Sequence, residues 1–164
     1  MDLRKGTLEK LLLAGELYDA MDYEQKQILT PCVRHVARIQ KIISEAARKI
    51  NAPFYCSECD GGCCTNGIEF GNDIPDYIYT MFYVSLEERK KIMDVVNASN
   101  GNGACSLKGQ RGCALPIVAR PIHCKLFYCA VIPGSKNIMD DFGDSLKKAD
   151  LQFRCVLDEM NLRF

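Results

Sequence analysis

The sequence predicts one mainly α-helical domain over residues 1–164, with irregular cysteine-rich loops in its middle and short β-strands beside them. Two observations support this fold class. Apolar residues recur at helical spacing near both ends, which indicates N-terminal helices in residues 1–52 and a C-terminal helix in residues 138–162. Residues 54–130 carry eight of the ten cysteines, and residues 54–67 at the start of this stretch have little periodicity. A chain of this length is enough to bury one hydrophobic core.

The first fifty residues contain two helix-start signals. Thr7 is a candidate N-cap for a first helix that runs to about Asp22. Thr30 and Pro31 look like an N-cap followed by proline at the first helical position, where its missing N–H costs nothing. The alternative is one longer helix that begins near Tyr23 and is kinked at Pro31.

An apolar stripe predicts that this second helix is amphipathic and ends near Asn51, before Pro53. Cys32 and His35 fall on the core-facing side of the pattern, so we expect both side chains to be packed rather than to bind a ligand. The residues that form the stripe are Val33, Val36, Ile39, Ile42, Ile43, Ala46, Ala47 and Ile50.

The centre and the C-terminus each contain one further predicted helix. Ser85 and Glu88 form a capping box that starts a helix ending near residue 98. The preceding segment 74–84 is apolar and aromatic, and its pattern fits either a helix or a strand; residues 68–70 resemble a short strand. Cys155 lies close to the apolar face of the C-terminal helix and is expected to pack. That face consists of Phe142, Leu146, Ala149, Phe153, Val156 and Met160.

Charge and hydropathy exclude several classes of protein. The chain has 21 basic and 21 acidic residues, which argues against nucleic-acid binding through broad electrostatics. No apolar run approaches the ~20 residues that a membrane-spanning helix needs, and no export signal is recognisable. We therefore expect a cytoplasmic protein. Disulfides are rare in the cytosol, so clustered cysteines there more often bind metal.

The first cysteine cluster has the spacing of a metal-binding turn. Cys56 and Cys59 form a C-x2-C pair, in which two thiolates converge on one ion. Gly61 and Gly62 follow and allow the chain to fold back. The adjacent pair at 63–64 points to opposite sides of an extended backbone, so its members serve two nearby metals, or one binds while the other packs.

The second cluster brings the number of candidate metal ligands to eight. Eight thiols suit two sites of four cysteines, one four-cysteine cluster plus a second site, or a thiolate-bridged binuclear centre with spare cysteines. Arg120 precedes the second half of this cluster and is expected to donate either to a thiolate or to a loop carbonyl. The candidate ligands are Cys56, Cys59, Cys63, Cys64, Cys105, Cys113, Cys124 and Cys129.

This arrangement resembles the cysteine-cluster family described as zinc- or iron-chelating domains. The resemblance rests on the C-x2-C-x3-CC run that begins at Cys56, the later Cys105 and Cys113, and the Arg-Pro-x-x-Cys motif at residues 120–124 that Cys129 closes. It covers roughly residues 54–130. It implies metal chelation and says little about biochemical purpose.

The ligand type narrows the choice of metal and of function. Thiolate-only ligation suits zinc or an iron–sulfur cluster, and the spacings fit neither common ferredoxin run, which favours zinc. Closed four-cysteine zinc sites are structural. No catalytic motif is present, so the sequence favours a non-enzymatic metal-binding protein with a structural or binding role. The alternative is an iron–sulfur redox or electron-transfer accessory protein.

Overall fold

The computed structural model describes residues 3–51, 72–99, 105–109, 112–121, 124 and 134–161, and this part of the chain is mainly helical. The predicted helical fold class is confirmed at this level. The strand structure in these ranges consists of two antiparallel strands of two residues each, in which Lys108 lies opposite Cys113. The strand predicted at 68–70 lies outside the described residues. The elements are α1 (Leu3–Ala20), α2 (Tyr23–Lys49), α3 (Ile74–Met81), α4 (Leu86–Ala98), β1 (Lys108–Gly109), β2 (Gly112–Cys113), a 3₁₀ helix (Ile117–Ala119) and α5 (Ser135–Glu159).

The N-terminal helices begin elsewhere than the first predictions placed them. Thr7 lies inside α1 and is buried, so it is not the N-cap. The N-cap of α2 is Asp22, whose Oδ1 accepts the N–H of Gln25 at 2.8 Å. The longer helix from Tyr23 is therefore the correct alternative, and Pro31 lies within it. Pro31 is exposed, so the carbonyl that lacks its helical donor lies on the face towards solvent.

The core lies chiefly between α2 and α5, which pack along each other. Cys32 is buried on α2, as predicted. His35 and Cys155 are both exposed, and the expectation that they pack was wrong. Cys155 stands two residues from both Phe153 and Leu157, so it lies about 200° round the helix from each.

The ambiguous segment 74–84 begins as helix α3 because a capping box initiates it. Asp73 is the N-cap, its Oδ1 accepts the N–H of Asp76, and Pro75 occupies the first turn. Residues 76–81 are all buried, since α1 and the 3₁₀ helix both pack against α3. The capping box at Ser85 is confirmed, with the Ser85 N–H donating to Glu88 Oε2 at 2.7 Å.

Across the described ranges, no helix is both long enough and apolar enough to cross a membrane.

Candidate functional site

The structure describes three of the eight predicted ligand cysteines. Cys105, Cys113 and Cys124 are partly buried, and none of the three takes part in a disulfide. The other five predicted ligands lie outside the described residues: Cys56, Cys59, Cys63, Cys64 and Cys129. The described part of the candidate site therefore belongs to the second cysteine cluster.

Cys124 has the most specific surroundings of the three. Its sulfur accepts a hydrogen bond from Asn72 Nδ2 at 3.5 Å, and Asn72 Oδ1 lies 3.8 Å from the same sulfur. Burial raises the pKa of the Cys124 thiol to about 12; the Asn72 hydrogen bond lowers this pKa, and the nearby Cys113 and Asp76 raise it. The charge of Arg120 also lowers it. The neutral thiol is therefore favoured in the metal-free protein, and a thiolate needs a cation beside it.

Cys105 and Cys113 are placed by the small β-ribbon. The Lys108 N–H donates to the Cys105 carbonyl at 2.9 Å, which closes the turn that leads into β1. Lys108 then pairs with Cys113 across the ribbon, and both cysteines pack against the edge of the core. Cys113 is close enough to Cys124 for its charge to affect that thiol. The ribbon thus places Cys113 within electrostatic range of Cys124.

The segment between Cys113 and Cys124 is anchored through three consecutive backbone carbonyls. Tyr79 Oη donates to the Val118 carbonyl at 2.8 Å, and Thr80 Oγ1 donates to the Ala119 carbonyl at 2.8 Å. Gln40 Nε2, from α2, donates to the Arg120 carbonyl at 3.1 Å. All three donor residues are buried, and burial raises the pKa of Tyr79 so that it stays a neutral hydrogen-bond donor. The path of this loop is therefore fixed by two helices.

The Arg120 side chain closes its own loop. Its Nε donates to the Leu115 carbonyl at 3.3 Å, which is one of the two roles predicted from the sequence. The other predicted role, donation to a thiolate, stays a prediction; the positive charge of the guanidinium lowers the pKa of Cys124. One cation thus holds the turn and partly offsets negative charge at the site.

A carboxylate cluster around Arg154 lies next to Cys124. Arg154 Nη1 is 2.6 Å from Asp73 Oδ2, its Nη2 is 3.4 Å from Asp76 Oδ2, and its Nε is 2.9 Å from Asp150 Oδ1. Burial acts to raise the pKa of Asp73, but hydrogen bonding and charge from Arg154 lower it more. Burial raises the pKa of Asp150 against the opposing effect of Arg154. The cluster joins the start of α3 to α5.

Three residues that contact this site, Asn72, Gln40 and Thr80, were not predicted from the sequence. The capping box at Asp73, with proline in the first turn, is a signal that could have placed the start of α3 and put Asn72 just before it. Gln40 interrupts the apolar stripe of α2, and a polar residue there indicates a buried hydrogen bond. Nothing in the local sequence indicates which carbonyls these side chains reach.

The described donors are short of a complete metal site. Among the described residues, no group of three or more His, Cys, Asp or Glu side chains is arranged to hold a metal ion. The donor types fit a thiolate-binding metal, since the Cys124 thiol has an N–H donor in Asn72 and is affected by the charges of a second thiol, Cys113, and of a cation, Arg120. Comparisons of the chain with protein-family models, curated proteins and solved structures gave no match.

Proposed function

We propose that this protein chelates zinc or iron through clustered cysteine thiolates and serves a structural or binding role. The observation that carries the proposal is the environment of Cys124. Its thiol is partly buried, accepts a hydrogen bond from Asn72 and is affected by the charges of Cys113 and Arg120. Such donors commonly surround ligands of bound metals, because they orient the sulfur and share its negative charge.

Electrostatics supports a bound cation at this position. Cys113 and Asp76 both oppose ionisation of Cys124, while Arg120 supplies one opposing positive charge. A divalent cation would reverse this balance and bind the thiolates as their protons leave. In this proposal the remaining ligands come from the first cluster, completing the set Cys56, Cys59, Cys63, Cys64, Cys105, Cys113, Cys124 and Cys129.

The anchored loop supports a structural role for the metal. Helices α2 and α3 hold the carbonyls of residues 118–120 through hydrogen bonds that do not involve the proposed ligands. The helices thus set the path of the loop, and four thiolate ligands for each ion would close the site and make the metal structural. Zinc is the metal that such a site most often holds. We place the protein in the cytoplasm as part of this proposal, since free thiols persist there.

An iron–sulfur redox protein is the second candidate function, and one observation favours it. The N–H of Asn72 points at a cysteine sulfur, and hydrogen bonds of this kind tune cluster reduction potentials. The two candidates differ in colour, in acid-labile sulfide and in their response to reductant. Neither requires enzymatic turnover.

The test is elemental analysis with a visible spectrum on untagged protein purified without oxygen. We expect zinc without colour; iron with an equal amount of acid-labile sulfide would select the iron–sulfur alternative. Cys124→Ser should lower the bound metal, whereas Cys155→Ser is the matched control because its thiol is exposed and on the far side of α5. Protein that contains no metal, and takes up neither zinc nor iron on reconstitution, would refute the proposal.

A further inference from the structure

Asn72 faces the sulfur of Cys124 with both polar atoms of its side chain. Nδ2 lies 3.5 Å from Sγ, and Oδ1 lies 3.8 Å from it. Asn72 is fully buried, so water does not compete for these contacts. A neutral thiol can donate its proton to Oδ1, and a thiolate can accept from Nδ2. The amide therefore has a partner for the sulfur in both states without moving.

Lys10 binds the backbone of Asn72. Its ammonium, carried by α1, donates to the Asn72 backbone carbonyl at 2.7 Å. This carbonyl immediately precedes Asp73, the N-cap of α3, whose carboxylate is fixed by Arg154 at 2.6 Å. Asn72 is thus held at its own backbone and at the next residue, which leaves its amide little freedom to turn away from the sulfur.

We propose that Asn72 is a positioning residue that holds the Cys124 sulfur in its metal-binding orientation, and that Lys10 fixes Asn72 in place. This inference rests on the proposed metal-binding function. An amide is suited to the role because it donates as well as accepts. A carboxylate at position 72 only accepts when ionised and places a negative charge beside a thiolate, and an aliphatic side chain does neither.

The proposal predicts an order of metal affinities. Asn72→Leu removes the donor and should weaken metal binding about 10–100-fold, which is the usual effect of losing such a partner. Asn72→Asp should weaken it further, because repulsion is added to the lost hydrogen bond. Lys10→Met should have a smaller effect in the same direction. Asn97→Leu and Lys90→Met are the matched controls, since both wild-type side chains are exposed on α4.

The measurement is competition with a chelator on the full chain, using zinc and Co²⁺ as probes, together with the thiolate-to-cobalt absorption band. A destabilised core control, Leu29→Val on the first half of α2, distinguishes positioning from general loss of stability. We expect the band to shift in both Asn72 variants and to stay unchanged in the core control. Co²⁺ reports the ligand geometry even if the native metal is iron.

The outcomes separate this inference from the function on which it rests. Wild-type affinity and an unchanged cobalt band in both Asn72 variants would overturn the positioning role and leave metal binding intact. Unchanged metal binding in Cys124→Ser would also overturn it, since Cys124 would not be a ligand. A wild-type chain that binds neither zinc, iron nor Co²⁺ would overturn both the positioning role and the proposed metal-binding function. If Asn72→Leu does not fold, the metal affinities of Lys10→Met and Lys90→Met are compared, and equal affinities would overturn the positioning role.

Discussion

Replacement of Thr80 by valine tests whether the cysteine-bearing loop is held by its backbone. The change keeps the shape of the side chain and removes one hydroxyl. Its single proton is donated to the Ala119 carbonyl at 2.8 Å, and the Asp76 carbonyl oxygen lies 3.1 Å from the same hydroxyl. The Asp76 carbonyl lies one helical turn before Thr80 in α3, within reach of its backbone N–H. The Ala119 carbonyl loses a buried donor, which costs about 1–3 kcal/mol.

The magnitude follows from setting this loss against the added methyl group. Burying one more methyl returns about 0.8 kcal/mol, because Thr80 is fully buried. The net destabilisation is then about 0.2–2 kcal/mol. For a chain of this length, each kcal/mol shifts Tm by about 2–4 °C, so we expect a decrease of up to about 8 °C.

The assay is chemical and thermal unfolding of the metal-loaded and chelator-treated protein. Thr30→Val is the matched control, because the Thr30 hydroxyl donates only within its own helix, to the Lys26 carbonyl at 2.7 Å. We expect the control to change the free energy of unfolding by less than about 0.5 kcal/mol. If Thr80→Val is no less stable than Thr30→Val, the Ala119 carbonyl does not depend on this hydroxyl and the anchoring argument fails.

Two further predictions concern α5 and the buried cysteine. Arg154→Met should cost about 3–5 kcal/mol at neutral pH, since it leaves the buried Asp76 carboxylate and the partly buried Asp150 carboxylate without their cation. Asp73, whose pKa Arg154 lowers, stabilises the wild type at neutral pH and loses this contribution as pH falls through the lowered pKa; Asp150, whose pKa burial raises, destabilises the variant when ionised. In urea titrations the stability gap should therefore begin to narrow as Asp150 is protonated and narrow further below about pH 4 as Asp73 is protonated, and a constant gap would contradict the ion-pair account. Cys32→Ser should cost about 1–3 kcal/mol by placing a hydroxyl in the core, whereas Cys155→Ser should be neutral; equal Tm values for the two would show that Cys32 is not buried.

Local signals predicted those helices whose stabilisation is itself local. The Ser85 capping box and the apolar pattern of α5 lie within consecutive turns, so the sequence alone was enough to place them. The start of α2 was ambiguous because Pro31 resembles a first helical residue. The capping box at Asp22 starts the helix there, and Pro31 is tolerated inside the helix because it is exposed.

The site was only partly predictable, since its determinants are far apart in the chain. The cysteine spacing marked Cys113 and Cys124 as neighbours in one cluster. The partners of this region, Asn72, Gln40 and Thr80, reach it from residues at least 39 positions away. Such contacts depend on how α2 and α3 pack, which composition and periodicity do not reveal.

The attachment of residues 118–120 through their carbonyls has a consequence for sequence change. Gln40, Tyr79 and Thr80 recognise the main chain and are indifferent to the side chains that this stretch carries. Substitutions at partly exposed Val118 should therefore drift freely in related chains while the loop keeps its course. The three donor side chains should tolerate little change. Replacing any of them should alter the positions of the cysteine thiols at the two ends of the loop.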